Sequence, residues 1–566
     1  MASLTAKVIH GQTYYYAREC QRVNGKPKIV RTVYLGSADD LIAAVLQKQQ
    51  TQVPQPYAVA IAAFGDVVAV YDLAQQIGLV EVLDRHLPKR AQGLSVGQYL
   101  LLAALNRVVH PTSKLQFADW YRQTMLARLL PATAQQLSSQ TFWNHFDGVA
   151  ESHIEAVERE LSQRLIARFQ LSLRTLAYDG TNFFTFIDTA TPAELPQRGH
   201  NKQKRNDLRQ VSLGMLVSTD FHVPLFHKVY AGNVPDGTVF QTITEELRVR
   251  YCELARHCEH ITLIFDKGNN SQEAFATLDG TDFHFIGSLV PSHHTELLEV
   301  PAGRYQPLRG ERLQEVRAYR TKQEVFGQQR TIVVTPNDNL LQGQLQGLTT
   351  ALDKARGKLR DLQTKLRRRR EGRTRGGKAP TAASIRKQAQ EALTGQHVKS
   401  VLRFEVTEDD LPTLTFTTDQ TALSRLIDKH LGKTILFTDN DDWTTEDIVL
   451  GYRAQHHIED AFRQMKHPHY LGWQPMFHWT DSKIRVHAFT CVLALTLSSL
   501  LQRTLYHKGV DLSLPRMLEL LGGIRETLVI YPKKQGQRHP STARALSTLS
   551  AEQEELVAAL DLRRYL

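Results

Sequence analysis

Cysteine is scarce: Cys20, Cys252, Cys258 and Cys491 are the only four in 566 residues. They are too scattered for a disulfide framework, and the lack of any CxxC pair argues against a structural zinc site. The N-terminus, MASLTAKVIHGQ, lacks the apolar run of a secretory signal. A membrane span needs roughly 20 apolar residues. The most apolar stretch, FTCVLALTLSSLL (489–501), is shorter, carries Thr and Ser, and reads as a buried core helix. We therefore expect no membrane association and a cytoplasmic location. Excess acidity is also missing. A formal charge of +11 and a pI near 9.3 favour a polyanionic partner. Nucleic acid is the commonest such partner, although membrane-surface proteins share the composition.

What is present changes character along the chain. Two β-rich runs flank Asn24-Gly25 within 12–35, a hairpin signal because both residues tolerate positive φ. A short helix, DDLIAAVLQKQ, follows, and then a polar link, QQTQVPQPY. From about 66 to 170 the apolar spacing is helical, with no clear helix-turn-helix pattern. Between 173 and 290, strands are expected at 174–187, 209–219, 223–230, 261–266 and 283–289. Helices fit 237–257, after the capping candidate Asp236, and 271–279. The order β-β-β-α-β-α-β suggests a mixed sheet covered by helices.

A leucine seam comes next: Leu341, Leu345, Leu348, Leu352, Ala355, Leu359, Leu362 and Leu366, spaced 4-3-4-3-4-3-4. Such heptads predict a coiled coil, here a helical hairpin over 338–395 in which the long helix breaks at the basic tip KLRRRREGRTRGGKAP and a shorter helix, TAASIRKQAQEAL, returns against it. The tip reads either as a solvated helix end or as a DNA contact. The β-rich runs 311–335 and 400–416 suggest a small sheet that mounts the hairpin. A strand at 432–440 and a helix at 444–466, opened by a Thr444/Asp447 capping box, follow. The tail from about 483 is expected to be helical.

Carboxylates mark the chemistry. Asp179 interrupts the apolar strand LAYDGTNFFTFID, where an unpaired carboxylate would cost several kcal/mol. Asp266 closes a second apolar strand, ITLIFD, ahead of the turn KGNNS. Taken singly, either could be a turn or capping residue. In YRAQHHIEDAFRQMK, Tyr452, Glu459 and Lys466 recur every seven residues, with Arg463 one turn from Glu459. A solvent-exposed charged stripe is the plain alternative. Two strand aspartates and one helix glutamate together suit two Mg²⁺ ions, which take hard oxygen ligands and serve in-line attack on a phosphodiester.

The chain resembles the DDE transposases of bacterial insertion sequences, in the insertion sequence 4 superfamily and its insertion sequence 1634 branch. The resemblance rests on YDGTNFFTF (178–186), RGHNKQKRNDLRQVSLGMLV (198–217), PLFHKVYAGNVPD (224–236), IFDKGNNS (264–271), YRAQHHIEDAFRQMK (452–466) and the N-terminal GKPKIVRTVYLG. It spans about 12–500 and implies a mixed α/β fold: a ribonuclease H-like catalytic core with a large insertion carrying the coiled-coil hairpin, plus a helical N-terminal domain. The expected segments are 1–56 (hairpin and short helix), 57–172 (helical, DNA-binding), 173–290 (first part of the core), 291–430 (insertion), 431–505 (second part, with the Glu-bearing helix) and 506–566 (helical).

The resemblance makes Asp179, Asp266 and Glu459 the catalytic and metal-binding residues, with two Mg²⁺ that Mn²⁺ can replace. The superfamily's helix signature has Arg where this chain has Gln455, so Arg453 or His456 would take over its phosphate contact. Tyr452, Gln455, Arg463, Lys466, Arg453 and Trp443 become the DNA-binding candidates, Trp443 as a stacking platform for a flipped base or as plain packing. The implied function is a DNA transposase that cleaves element ends and joins 3′-OH ends to target DNA, as a homodimer assembled on DNA. Its rivals are a non-catalytic DNA-binding descendant and a ribonuclease H-like nuclease that never joins strands.

Overall fold

The computed structural model describes residues 2–23, 26–49, 55–89, 93–188, 190–201, 203–234, 246, 261–265, 272, 275–276, 279, 284–374, 376, 379–533 and 538–566. At the N-terminus, β1 (Ala2–Ile9), β2 (Gln12–Val23) and β3 (Lys26–Ser37) form an antiparallel sheet followed by α1 (Ala38–Gln49). The hairpin expected over 12–35 is therefore joined by an unforeseen first strand; its turn, Asn24-Gly25, lies outside the described residues. β4 (Ala58–Ala63) then leads into α2 (Gly65–Gln76), α3 (Leu79–His86), α4 (Val96–Val109) and, after shorter helices, α5 (Glu151–Phe169).

The central sheet is built from β5 (Thr175–Thr185), β6 (Arg209–Ser218), β7 (Pro224–Ala231), β8 (Thr262–Ile264), β9 (His284–Ser288), β10 (Gln306–Pro307), β11 (Arg317–Val325), β12 (Gln328–Pro336) and, beyond a long excursion, β15 (Lys433–Thr438). Its order is β10-β11-β12-β15-β9-β8-β5-β6-β7. β5, β6 and β7 are antiparallel neighbours, whereas β8 runs parallel to both β5 and β9. Both faces are covered, which is why β6 and β8 read as almost continuous apolar runs. The helices expected at 237–257 and 271–279 fall almost wholly outside the described residues.

The 311–335 segment departs from expectation. β11 and β12 extend the main sheet through β12–β15 pairing instead of forming a separate small one. The excursion between β12 and β15 holds α6 (Asp338–Arg370), α7 (Ala382–Ala392) and the two-stranded β13 (Leu402–Val406)–β14 (Leu414–Thr418). The six inner seam residues, Leu348 to Leu366, are buried, but their cover differs from a coiled coil. Short α7, the β13–β14 hairpin and neighbouring short helices close over the seam in a core separate from that of the sheet. The shorter return helix was expected where α7 lies; a heptad pattern fixes only which face of α6 is apolar and does not show that a β-hairpin and further short helices share the cover.

After β15 come α8 (Thr445–Arg453), α9 (His456–Met465) and α10 (Asp481–His507). α10 contains the most apolar stretch of the chain. By length and composition it could cross a membrane, but 94% of its apolar window is buried within the protein, against α2, α4, α5 and β7. The helical region 57–172 and the sheet thus share one hydrophobic core. The tail, expected to be helical, also contributes β16 (Arg525–Ile530) and β17 (Thr542–Leu546), and β16 pairs with β4.

Candidate active site

β5 presents Asp179, Thr181, Phe183 and Thr185 on one face, by the two-residue period of a strand. Phe183 and Thr185 are buried, whereas Asp179 and Thr181 are half-buried. Asp179 sits opposite Met215 of β6, and its Oδ1 accepts a hydrogen bond from the Gly180 amide at 2.8 Å. A partly open carboxylate with amide support escapes most of the burial cost that its apolar strand implied.

The helix expected at 444–466 is interrupted. Its start is as predicted, with Thr444 capping the Asp447 amide. At Ala454–Gln455 the bonding tightens: the Gln455 amide donates to Tyr452, His457 to Ala454 and Ile458 to Gln455. These three-residue bonds divide it into α8 and α9. The seven-residue stripe crosses that break, yet Tyr452, Arg453, Gln455, His456 and Glu459 still line one open cavity of about 360 Å³ with Thr335, Pro336 and Asn337. Glu459 is exposed, Tyr452 half-buried and Gln455 buried.

α9 is joined to β5 at its far end. Lys466 Nζ donates to Thr181 Oγ1 at 2.5 Å and stands 5.2 Å above the Phe183 ring. On the other side Phe183 stacks on Trp473, centroids 4.1 Å apart and planes at 14°. Arg107, buried beneath this loop, donates to the carbonyls of Gly472 and Gln474 at 3.1 and 3.0 Å. Lys466 thereby ties the Glu459 helix to the strand two residues beyond Asp179.

The remaining candidates take different positions. Arg463 is exposed and pairs with Asp460 at 2.7 Å. Arg453 donates to the Arg312 carbonyl at 3.0 Å while still bordering the Glu459 cavity. Trp443 packs over Gly451 at the start of α8, with the Arg174 guanidinium 5.2 Å from its ring. Trp443 is half-buried there. His457 lies beside the cavity, and burial together with His456 pushes its pKa down to about 4, so it is neutral at pH 7. Asp266 lies outside the described residues, whose last neighbour, Phe265, is buried at the end of β8.

Two positioning residues escaped the sequence reading. Gln210 is fully buried in β6 and its amide donates to the carbonyls of His200 and Gly232, at 3.1 and 2.7 Å. Asn201 holds the Arg205 amide at 2.8 Å. Together they fold the basic loop 198–205 against β6, and Asn182, three residues beyond Asp179, reaches toward the His200 carbonyl. The signal was a glutamine next to the apolar run of β6, in LRQVSLGMLV.

As to metal binding, no group of three or more ligating side chains occurs among the described residues. Asp179 and Glu459 supply hard oxygen donors on two elements that touch, as Mg²⁺ demands. The donor type fits such an ion, but Asp179 does not line the cavity that Glu459 borders, and Asp266 lies outside the described residues.

A family model described as "Transposase DDE domain" matches residues 174–497, which run from the start of β5 into α10. No curated protein matches the chain. Similar solved structures include a piggyBac transposase synaptic complex with hairpin DNA, at 9% identity and TM-score 0.35 over 82% of each chain. A Mos1 transposase paired-end complex with left transposon end is similar at 14% identity and TM-score 0.14, over 35% of this chain and 60% of that one. At those scores the structural likenesses carry no weight beside the family match.

Proposed function

Since the chain belongs to the transposase DDE domain family, it is a DNA transposase, and we propose that it cleaves insertion-sequence ends and joins their 3′-OH groups to target DNA. The observation that carries the reading is the docking of the Glu459 helix on the Asp179 strand through Lys466 and Thr181. In this proposal the fold is a ribonuclease H-like core, with β5, β6 and β7 antiparallel and β8 and β9 added in parallel. The parallel register pairs Ala177 with Ile264.

Asp179, Asp266 and Glu459 would hold two Mg²⁺, or Mn²⁺ in their place. The ions would supply an activated attacking oxygen and a stabilised leaving one. The chain's own residues do the rest. Lys466, fixed against Phe183, sets a positive charge next to the strand where a scissile phosphate must lie. Tyr452, Arg453 and His456 border the Glu459 cavity; Tyr452 would hold a flanking phosphate, and Arg453 or His456 would take the contact of the arginine that Gln455 replaces. The insertion sequence 4 and 1634 assignments, cytoplasmic action and a homodimer on paired ends belong to the same proposal.

The test uses DNA ends taken from the repeats flanking the gene. With Mg²⁺, the wild-type protein should nick them and insert a pre-cut 3′-OH end into plasmid DNA. Asp179→Ala should lower both rates by at least about 10³-fold, roughly 4 kcal/mol of barrier, while end binding in EDTA persists. A variant that still cuts at the wild-type rate would remove Asp179 from the chemistry. Cutting without any joining would make the enzyme a nuclease.

A further inference from the structure

The positive charge of this protein is concentrated in one place. Residues 354–387 hold fourteen Lys and Arg against two acids, Asp361 and Glu371, a net +12 in a chain whose total is +11. All of this falls on the outer half of the excursion between β12 and β15, and the rest of the molecule is close to neutral.

Lys354 and Lys358 stand four residues apart on α6, Lys365 and Arg368 three, with two helical turns and Asp361 between the pairs, and all four cations are exposed. None of the four forms an ion pair among the described residues. The neighbouring arginines do find partners: Arg356 with Asp353, Arg386 with Glu408, and Arg367 and Arg373 with Glu371. The buried leucine seam lies on another side of α6, so the arm has a firm core of its own beside the charged stripe. The arm begins beside the proposed catalytic cavity, whose lining includes Pro336, Asn337 and Glu459.

We propose that this arm binds the backbone of duplex DNA, holding phosphates at a distance from the end being processed. The partner follows from charge complementarity: a row of unpaired cations at helical spacing matches a polyanion of regular phosphate spacing. α6 has 33 residues, so it extends about 50 Å from its root. Lys354 and Arg368 lie about 24 and 45 Å along it, distances of about 7 and 13 base pairs at 3.4 Å each. Which DNA end lies at the root rests on the proposed function; the backbone contact does not.

The experiment measures binding of full-length protein to a fluorescent 40-base-pair duplex of arbitrary sequence in EDTA, across a salt series. K354Q/K358Q/K365Q/R368Q should reduce the slope of log K against log salt by about 3 to 4 and weaken binding at 0.1 M salt at least about 30-fold. Thermal unfolding should be unchanged, because all four side chains are exposed, and K354R/K358R/K365R should bind as wild type. Removing four exposed charges from the N-terminal sheet instead, R22Q/K26Q/K28Q/R31Q, should have a clearly smaller effect. An unchanged slope in the arm variant, or an equal loss in the sheet variant, overturns the proposal. So does arm-dependent preference for an RNA hairpin or phosphatidylserine vesicles over duplex DNA. Because no metal is present, loss of cleavage in Asp179→Ala leaves this outcome untouched. On element ends, hydroxyl-radical protection about 7–13 base pairs from the cut should disappear.

Discussion

Lys466 and Lys114 show how differently one residue type behaves in this molecule. Lys466 is exposed and finds Thr181 and the Phe183 ring, so its charge is available to a substrate at little cost. Lys114 is only 8% exposed, stands 5.4 Å from the Phe142 ring, and has the buried Arg107 close by. Burial, and secondarily Arg107, pushes its pKa down to about 7. Between about 7 and the unfolded value near 10.4 the unfolded chain keeps a proton that the folded one has lost. The unfolded state then binds more protons, so this group makes the fold more stable as pH rises through that window. At pH 7 and below nearly the whole burial cost is felt. Lys114→Met should therefore stabilise the protein at pH 7 by about 3 kcal/mol and flatten its stability between pH 7 and 10. Urea unfolding at intervals across that range measures both. Lys466 was singled out by its seven-residue spacing from Glu459. Lys114 was not, because burial by long-range packing leaves no mark on HPTSKLQ.

At the scale of elements, the end of β8, at Phe265, is held by aromatic packing. Phe265, Phe275, Phe285 and Phe437 meet with centroids 5.1–5.8 Å apart, and Gly287 of β9 leaves room for two of them. A Cβ there would lie 2.6 Å from Phe437 Cε1 and 3.1 Å from Phe265 Cε2. Gly287→Ala should cost about 1–3 kcal/mol in chemical denaturation. Because Phe265 adjoins Asp266, end cleavage should also fall, with end binding in EDTA unaffected. Normal cleavage in a destabilised variant would uncouple that packing from the site. The strands flanking the site were readable from composition: 174–187, 209–219 and 223–230 were expected, and β5, β6 and β7 lie there within two residues. Two features were not. Whether 317–336 joins the main sheet depends on pairing of Thr331 with Thr438, more than a hundred residues later, which local alternation cannot encode. The break at Ala454–Gln455 falls among residues without Gly or Pro, so periodicity runs through it unmarked.

The whole molecule consists of a body and a charged arm that meet at one strand pair and at the 295–299 segment, where Arg425 of the arm pairs with Glu299 at 2.7 Å. Pro336 and Lys433 are direct partners at the end of β12 and β15, and the Asn337 amide donates to the Gly432 carbonyl at 2.7 Å. Gly432 already has φ of +69°. Removing 338–431 would thus join Asn337 to Gly432, and Asn-Gly is the preferred pair for a two-residue type I′ hairpin. The arm's buried side chains form their own cluster and contribute none to the core around the central sheet. The shortened protein should keep that core, unfold cooperatively in urea, and melt within about 5 °C of the parent, a difference near 1 kcal/mol. Its formal charge drops from +11 to +4, since the excised segment carries eighteen Lys and Arg against eleven acids. If the arm supplies the backbone contact, the shortened protein should bind arbitrary duplex as weakly as the four-charge variant while still nicking a pre-bound element end with Mg²⁺. Failure to fold would instead show that the sheet needs the arm, and that the two cores are one cooperative unit despite their separation.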